Sequence, residues 1–147
     1  MASLTRLLDE LGDAIRAAVE GLDVDVQVEP RMVVNPTPPT IDVYPGDPSR
    51  DDEIAGFDDL DGAKRFTVRC RVNTADADAG QDLLLAFMDE ENTLSIVAAI
   101  YDDPTLGGYV ASIDVRGGTG YVLYPTPDGT ANYLGCQWTV TVIDVSS

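Results

Sequence analysis

Apolar and polar positions alternate along this chain with two periods, and the switches between them mark its elements. Leu4, Leu7, Leu8, Leu11, Ile15, Ala18, Val19 and Leu22 recur at helical spacing, with Asp9, Asp13, Arg16 and Glu20 on the opposite face. The pattern predicts an amphipathic helix over 4–22, with Ser3 as N-cap and Gly21 as stop. It spans about two and a half heptads, fewer than the ~3–4 of a coiled coil, so the helix is expected to lie on a sheet. From residue 24 the period becomes two. Val24, Val26 and Val28 alternate with Asp23, Asp25 and Gln27, and 32–34 read as a continuation past a bulge at Pro30. Asn35-Pro36-Thr37-Pro38-Pro39 is a stiff turn, and 40–44 form a short strand with Ile41 and Val43 on one face. These two strands are expected to pair as a hairpin.

Residues 45–63 carry Pro45, Gly46, Pro48, Gly56 and Gly62, with six acids between Asp51 and Asp61, and read as a long acidic loop. Mutual repulsion favours an extended, solvated segment there. A strand follows, with Phe66, Val68, Cys70 and Val72 on one face and Arg65, Thr67, Arg69 and Arg71 on the other. Thr74 or Asp76 then caps a helix to about Met88, burying Leu83, Leu84, Phe87 and Met88. A shorter helix over 93–101 contributes Leu94, Val97, Ala98 and Tyr101.

The chain closes on three strands, 109–115, 121–124 and 133–143, read as a meander. Its two turns are Gly117-Gly118-Thr119-Gly120 and Pro127-Asp128-Gly129. In the last strand Leu134, Cys136, Trp138, Val140 and Val142 share the inward face. Trp138 is expected to be buried against the first helix. The order predicts one α+β domain over 1–147, a mostly antiparallel sheet with helices on one face.

Composition narrows the function. The 147 residues include 9 basic and 26 acidic side chains, a net charge of −17. That field opposes nucleic-acid and anionic-membrane binding. No apolar run approaches the ~20 residues of a membrane-spanning helix. The first residues lack the basic start and apolar stretch of a secretory signal, so a cytoplasmic site of synthesis is expected.

Candidate chemistry is sparse. The chain has no histidine, which removes Ser-His-Asp, Cys-His and histidine–metal arrangements. Cys70 and Cys136 fall at inward strand positions and read as buried thiols acting as small apolar residues. Gly117-Gly118-Thr119-Gly120 lacks a Walker lysine and leads into a strand, so it reads as a turn rather than a phosphate loop. Asp59-Leu60-Asp61-Gly62 resembles part of a calcium loop, yet Phe57 and Val68 stand where two essential carboxylates belong. No enzyme, metal or cofactor is expected.

One feature is unusual. Lys64, Arg65, Arg69 and Arg71, four of the nine basic residues, fall within eight positions. Arg65, Arg69 and Arg71 share one strand face, which is either a solvated surface or a patch complementary to the acids of another copy. The second reading is preferred. It makes Arg65, Arg69 and Arg71, with Asp51, Asp52, Glu53, Asp58, Asp59 and Asp61 of the acidic loop, a candidate assembly interface.

The layout as a whole resembles the tail-terminator proteins of long-tailed bacteriophages. It rests on the order of an N-terminal amphipathic helix, an early hairpin, an acidic loop, central helices after an Arg-rich strand and a closing meander, and most of all on 4–22, 66–73 with the helix after it, and 133–144. The Asp-, Val- and Ala-rich, lysine-poor texture resembles phages of actinobacterial hosts. The resemblance implies a homo-oligomeric, hexameric ring in the virion, assembled in the host cytoplasm. Such a ring caps the tail tube, contacts the tube protein and the head-completion or connector protein, and lets DNA pass without specific binding. Another head–tail junction ring protein, a minor tail protein and a small acidic binding module remain open as alternatives.

Overall fold

A computed structural model of the chain describes residues 3–20, 25–46, 57–58, 63–73, 77–89, 91 and 94–144. Helix α1 (Leu4–Val19) starts where its cap predicts: the Ser3 hydroxyl accepts from the Arg6 amide at 3.1 Å. Leu7, Leu8, Leu11, Ile15 and Val19 form its buried stripe. The helix ends earlier than residue 22, because Glu20 is already extended while its N–H still donates to the Arg16 carbonyl. Gly21 and Leu22 lie outside the described residues.

Strands β1 (Gln27–Glu29) and β2 (Thr40–Pro45) pair in parallel, with Gln27 opposite Thr40 and Glu29 opposite Asp42. The expected hairpin is therefore wrong, and so is the continuation of β1 through 32–34. The reason is local to Val33. Its N–H donates to the Asp42 carboxylate at 2.9 Å, and its carbonyl accepts from the Arg69 and Arg71 guanidiniums. Backbone groups spent on side chains are not available to a ladder. Residues 30–39 instead arch across the sheet and return the chain in the same direction.

The two-residue strand β3 (Phe57–Asp58) pairs with the start of β4 (Ala63–Val72), inside the segment read from sequence as unbroken loop. Strand β4 lies at the centre, antiparallel to β2 on one side and to the long β7 (Asn132–Asp144) on the other. Across the sheet the order is β1-β2-β4-β7-β5, where β5 is Val110–Gly117. Strand β6 (Val122–Pro125) also pairs with β7.

The closing strands are not a three-strand meander. Strand β5 pairs with β7 from Asp144 to Trp138, and β6 pairs with β7 from Gly135 to Asn132. They run end to end along one edge, so the glycine run between them is a kink and not a hairpin turn. Gly117 and Gly118 both have positive φ, 101° and 66°. A Cβ on Gly118 would sit 1.9 Å from Trp138 Nε1. Only glycine lets the edge fold so closely over the indole.

The second predicted turn does form, between β6 and β7. The Thr126 amide donates to the Ala131 carbonyl at 3.0 Å. Inside the loop the Asp128 carboxylate accepts from the Thr126 hydroxyl and from the Thr130 amide and hydroxyl, at 2.7, 3.0 and 2.9 Å. These bonds, the Thr126 hydroxyl first, hold its pKa down to about 2. Because the folded value is depressed, the carboxylate's support of the turn is present above the usual carboxylate range. It is lost as pH falls toward 2. An NMR titration should give a midpoint of about 2 for Asp128; an ordinary midpoint of about 3.9 would remove the carboxylate from the turn.

Helix α2 (Ala77–Met88) buries Leu84 and Phe87 and leaves Leu83 and Met88 half-buried. The proposed caps Thr74 and Asp76 lie outside the described residues. Helix α3 (Ile96–Tyr101) starts after a Ser95 cap and buries Ile96 and Ile100. Of the face expected from Leu94, Val97, Ala98 and Tyr101, Leu94 and Val97 are half-buried against the core, whereas Ala98 and Tyr101 are exposed. The Tyr101 hydroxyl accepts from the Val115 amide at 2.9 Å, covering part of the open edge of β5.

All three helices share a single hydrophobic core with one face of the sheet, so the α+β reading stands. Ile41 and Val43 of β2, Phe66 to Val72 of β4, and Cys136 to Val142 of β7 supply the sheet side at alternate positions. Trp138 is buried at its centre; Leu134 is half-buried at its margin.

Candidate functional site

The other face of the sheet holds the arginines. Antiparallel register sets Asp42 of β2 opposite Arg69 of β4, and Thr40 opposite Arg71. Asp42 is completely buried. Arg69 meets its carboxylate with two bonds, Nε to Oδ1 at 3.0 Å and Nη2 to Oδ2 at 2.6 Å. Arg71 Nη2 reaches the same Oδ2 at 3.2 Å. With the Val33 amide, four donors converge on this one carboxylate.

Aromatic rings close the arrangement. The Arg69 guanidinium lies 5.0 Å from the Tyr44 ring centroid and 5.5 Å from that of Tyr124. Both distances are within cation–π range. Tyr124 donates to Gln137 Oε1 at 2.6 Å. Gly135 leaves room for the ring, since a Cβ there would stand 2.7 Å from it.

Electrostatics here favour structure over chemistry. Burial opposes the charge on Arg69, but the hydrogen bonds and charge of Asp42 outweigh it and raise its pKa. Burial first, and then the Arg69 charge, lower that of Arg71, whose Nε is buried without a partner. Burial also raises the tyrosine pKa values, most strongly for Tyr124. Three of the four donors fall on Oδ2 and one on Oδ1, all from within the chain. The cluster instead clamps β2, β4 and the 30–39 segment together.

The candidate interface changes accordingly. Arg69 and Arg71 are neither solvated nor presented to another copy, since Asp42 and the Val33 carbonyl engage both. Their side chains are only 14% and 5% exposed. The physical reason is the register, which places an acid directly opposite them. Arg65 is half-buried across from Thr141, and Lys64 is buried on the opposite side of the strand. Asp58 lies in β3, and Asp51, Asp52, Glu53, Asp59 and Asp61 fall outside the described residues.

Other arginines are also spent within the chain: Arg6 on Glu10, Arg16 on Asp13, Arg31 on Asp9 and Arg116 on Asp114. Those four arginines are half or more exposed, so among the described residues the surface shows paired charges of both signs with apolar groups between them. Met32 and Val34 project into solvent on either side of the anchored Val33, 55% and 73% exposed. A groove of about 410 Å³ opens between α2 and the end of β4. Leu83 and Ala86 line it from the helix, and Val72, Pro38, Pro39 and Leu94 from around it.

No protein-family model matches the chain, and no curated protein is significantly similar to it. The site therefore rests on its own geometry.

Cys70 and Cys136 stand opposite each other on β4 and β7, both buried as free thiols. Burial pushes the Cys136 thiol up to about 12 and that of Cys70 well above its usual range, so neither is a ready nucleophile. Among the described residues no group of three or more acids or cysteines is placed to hold a metal, and no helix is long and apolar enough to cross a membrane.

Proposed function

We propose that this chain is a structural subunit that assembles with copies of itself into a ring. The ring caps the tail tube of a long-tailed bacteriophage, ends its polymerisation and joins it to the head connector. The observation that carries the reading is the division of the surface. The two arginines Arg69 and Arg71 of β4 are drawn into contacts within the subunit, while large apolar side chains such as Met32, Val34 and Leu123 are exposed on a chain of net charge −17. That is the surface of a part to be packed against protein, not of a cleft that processes a substrate. Of the layout on which the resemblance to tail terminators rests, α1, the Arg-rich β4 followed by α2 and α3, and the closing β7 are present, while the early hairpin and the closing meander are not. An acidic ring around the path of a genome would also repel the DNA it lets through.

The test is a tube-polymerisation assay with the tail tube protein of the same phage. Adding the purified chain should give shorter tubes carrying a cap at one end. Tubes that keep their length and bear no cap would rule the reading out.

A further inference from the structure

The ladder sets Cys70 and Cys136 directly opposite each other, and alternation turns both side chains to the buried face of the sheet. Their backbone geometry follows from the strands on either side. The Gly46 amide donates to the Arg65 carbonyl, so odd-numbered residues of β4 direct their backbone groups at β2 and even-numbered ones at β7. Beyond β7 the Gly118 amide donates to the Gln137 carbonyl, which leaves the Cys136 backbone groups directed at β4. The two cysteines are therefore a hydrogen-bonded pair, a position in which Cα atoms stand about 5.5 Å apart. Disulfides span Cα separations of about 4.4–6.8 Å, so the backbone already holds the thiols at bonding range. Opposed Cβ atoms lie ~4.5–5.5 Å apart on a sheet and ~3.5–4.5 Å apart in a disulfide, so the side chains have only to draw in slightly. Gly135, beside Cys136, lets β7 lie close there, since a Cβ on it would collide with the Cys70 carbonyl oxygen.

We infer that Cys70 and Cys136 form a redox latch, a dithiol that closes into a disulfide between β4 and β7 when a small-molecule disulfide oxidises it. One protein thiolate attacks a sulfur of the small disulfide, whose S–S bond breaks and whose other half leaves as a thiol with the proton given up. The opposed thiolate then attacks the protein-bound sulfur. The bond between residues 70 and 136 forms, and the second small thiol is released. Two electrons pass from the protein to the oxidant, and an added thiol reverses the sequence. In the closed fold the latch is at rest: both side chains are fully buried, and burial raises both thiol pKa values, that of Cys136 to about 12. Reaction therefore waits on local opening between β4 and β7, which makes it slow. Once closed, the bond encloses residues 71–135 and with them α2, α3, β5 and β6. A bond that draws the strands inward carries strain, and strained disulfides are the readily reduced ones. None of this depends on how copies of the chain meet.

The reduced chain, incubated with oxidised glutathione under native conditions and again in urea too dilute to unfold it, tests the latch. The expected product is lighter by two hydrogen atoms, has lost both alkylatable thiols, and gives a peptide joining Cys70 to Cys136. Its circular dichroism should match that of the reduced chain, dilute urea should speed its formation, and dithiothreitol should restore both thiols. Cys70→Ala and Cys136→Ala should each take up at most one glutathione and never lose mass. If neither variant folds, the wild-type peptide map decides alone. Thiols that stay reduced under both conditions, glutathione adducts as the end product, or an oxidised chain that is unfolded would each overturn the latch.

Discussion

Asp42→Ala should destabilise the fold by about 3–5 kcal/mol, the loss expected when one partner of a buried ion pair is removed. The size follows from what remains. Arg69 and Arg71 stay largely buried with their carboxylate gone, and the Val33 amide loses its acceptor. The 30–39 segment should then lift from the sheet. Urea unfolding read by circular dichroism measures the first effect, and hydrogen exchange at the Val33 amide the second. A loss below about 1 kcal/mol would place the pair in the range of surface salt bridges and remove the clamp. A triple replacement, Asp42→Leu with Arg69→Met and Arg71→Met, should recover much of the lost stability, since apolar residues of similar volume often substitute for buried ions. It should not restore the loop, because none of the three can bond the Val33 backbone.

Trp138→Ala should cost a similar amount, about 3–5 kcal/mol, through the cavity left under the β5–β6 kink. The indole is buried at the centre of the core, and Gly118 is folded directly over it. Its Nε1 is buried without a hydrogen-bond partner. Trp138→Phe should therefore be clearly milder than Trp138→Ala, because the phenyl ring refills most of the space and removes an unsatisfied donor. Equal losses for both would show that the space filled by the ring does not set the cost. The denaturant midpoint of each variant decides between these outcomes.

The chain states plainly whatever is settled within one element. Helix α1 was legible because a serine cap precedes a sustained apolar stripe, and β4 and β7 because strict alternation marks which face is buried. What the sequence concealed depends on distant partners. The parallel β1–β2 pairing follows from Val33 binding Asp42, Arg69 and Arg71, up to 38 positions away along the chain. Gly117-Gly118-Thr119-Gly120 has the chemistry of a hairpin turn, and only the indole of Trp138 beneath it makes it a kink. Helix α3 is six residues long, too short for its period to tell one face from the next.

The site was half legible for the same reason. The shared face of Arg69 and Arg71 follows from period two, but their partner does not. Asp42 stands 27 positions before Arg69, on a strand whose register with β4 no local signal sets. An acid at an alternate, outward position of β2 was the available clue, and pairing it with the arginines requires knowing that the two strands are neighbours. Met32 and Val34 were misplaced in a strand because their backbone environment, and not their side chains, decides their exposure.

Ring formation itself separates the two ways in which copies could meet. An interface built on arginine–acid pairing weakens as salt is added, whereas an apolar contact between copies of charge −17 strengthens as their repulsion is screened. Sedimentation of the wild-type chain, with salt raised from about 0.1 M to about 1 M, shortens the screening length from ~10 Å to ~3 Å. The expected result is a single closed oligomer, ring-shaped in negative stain, whose population grows with salt. A chain that stays monomeric at every salt concentration would contradict the proposed assembly, and a ring that falls apart as salt rises would contradict its apolar interface.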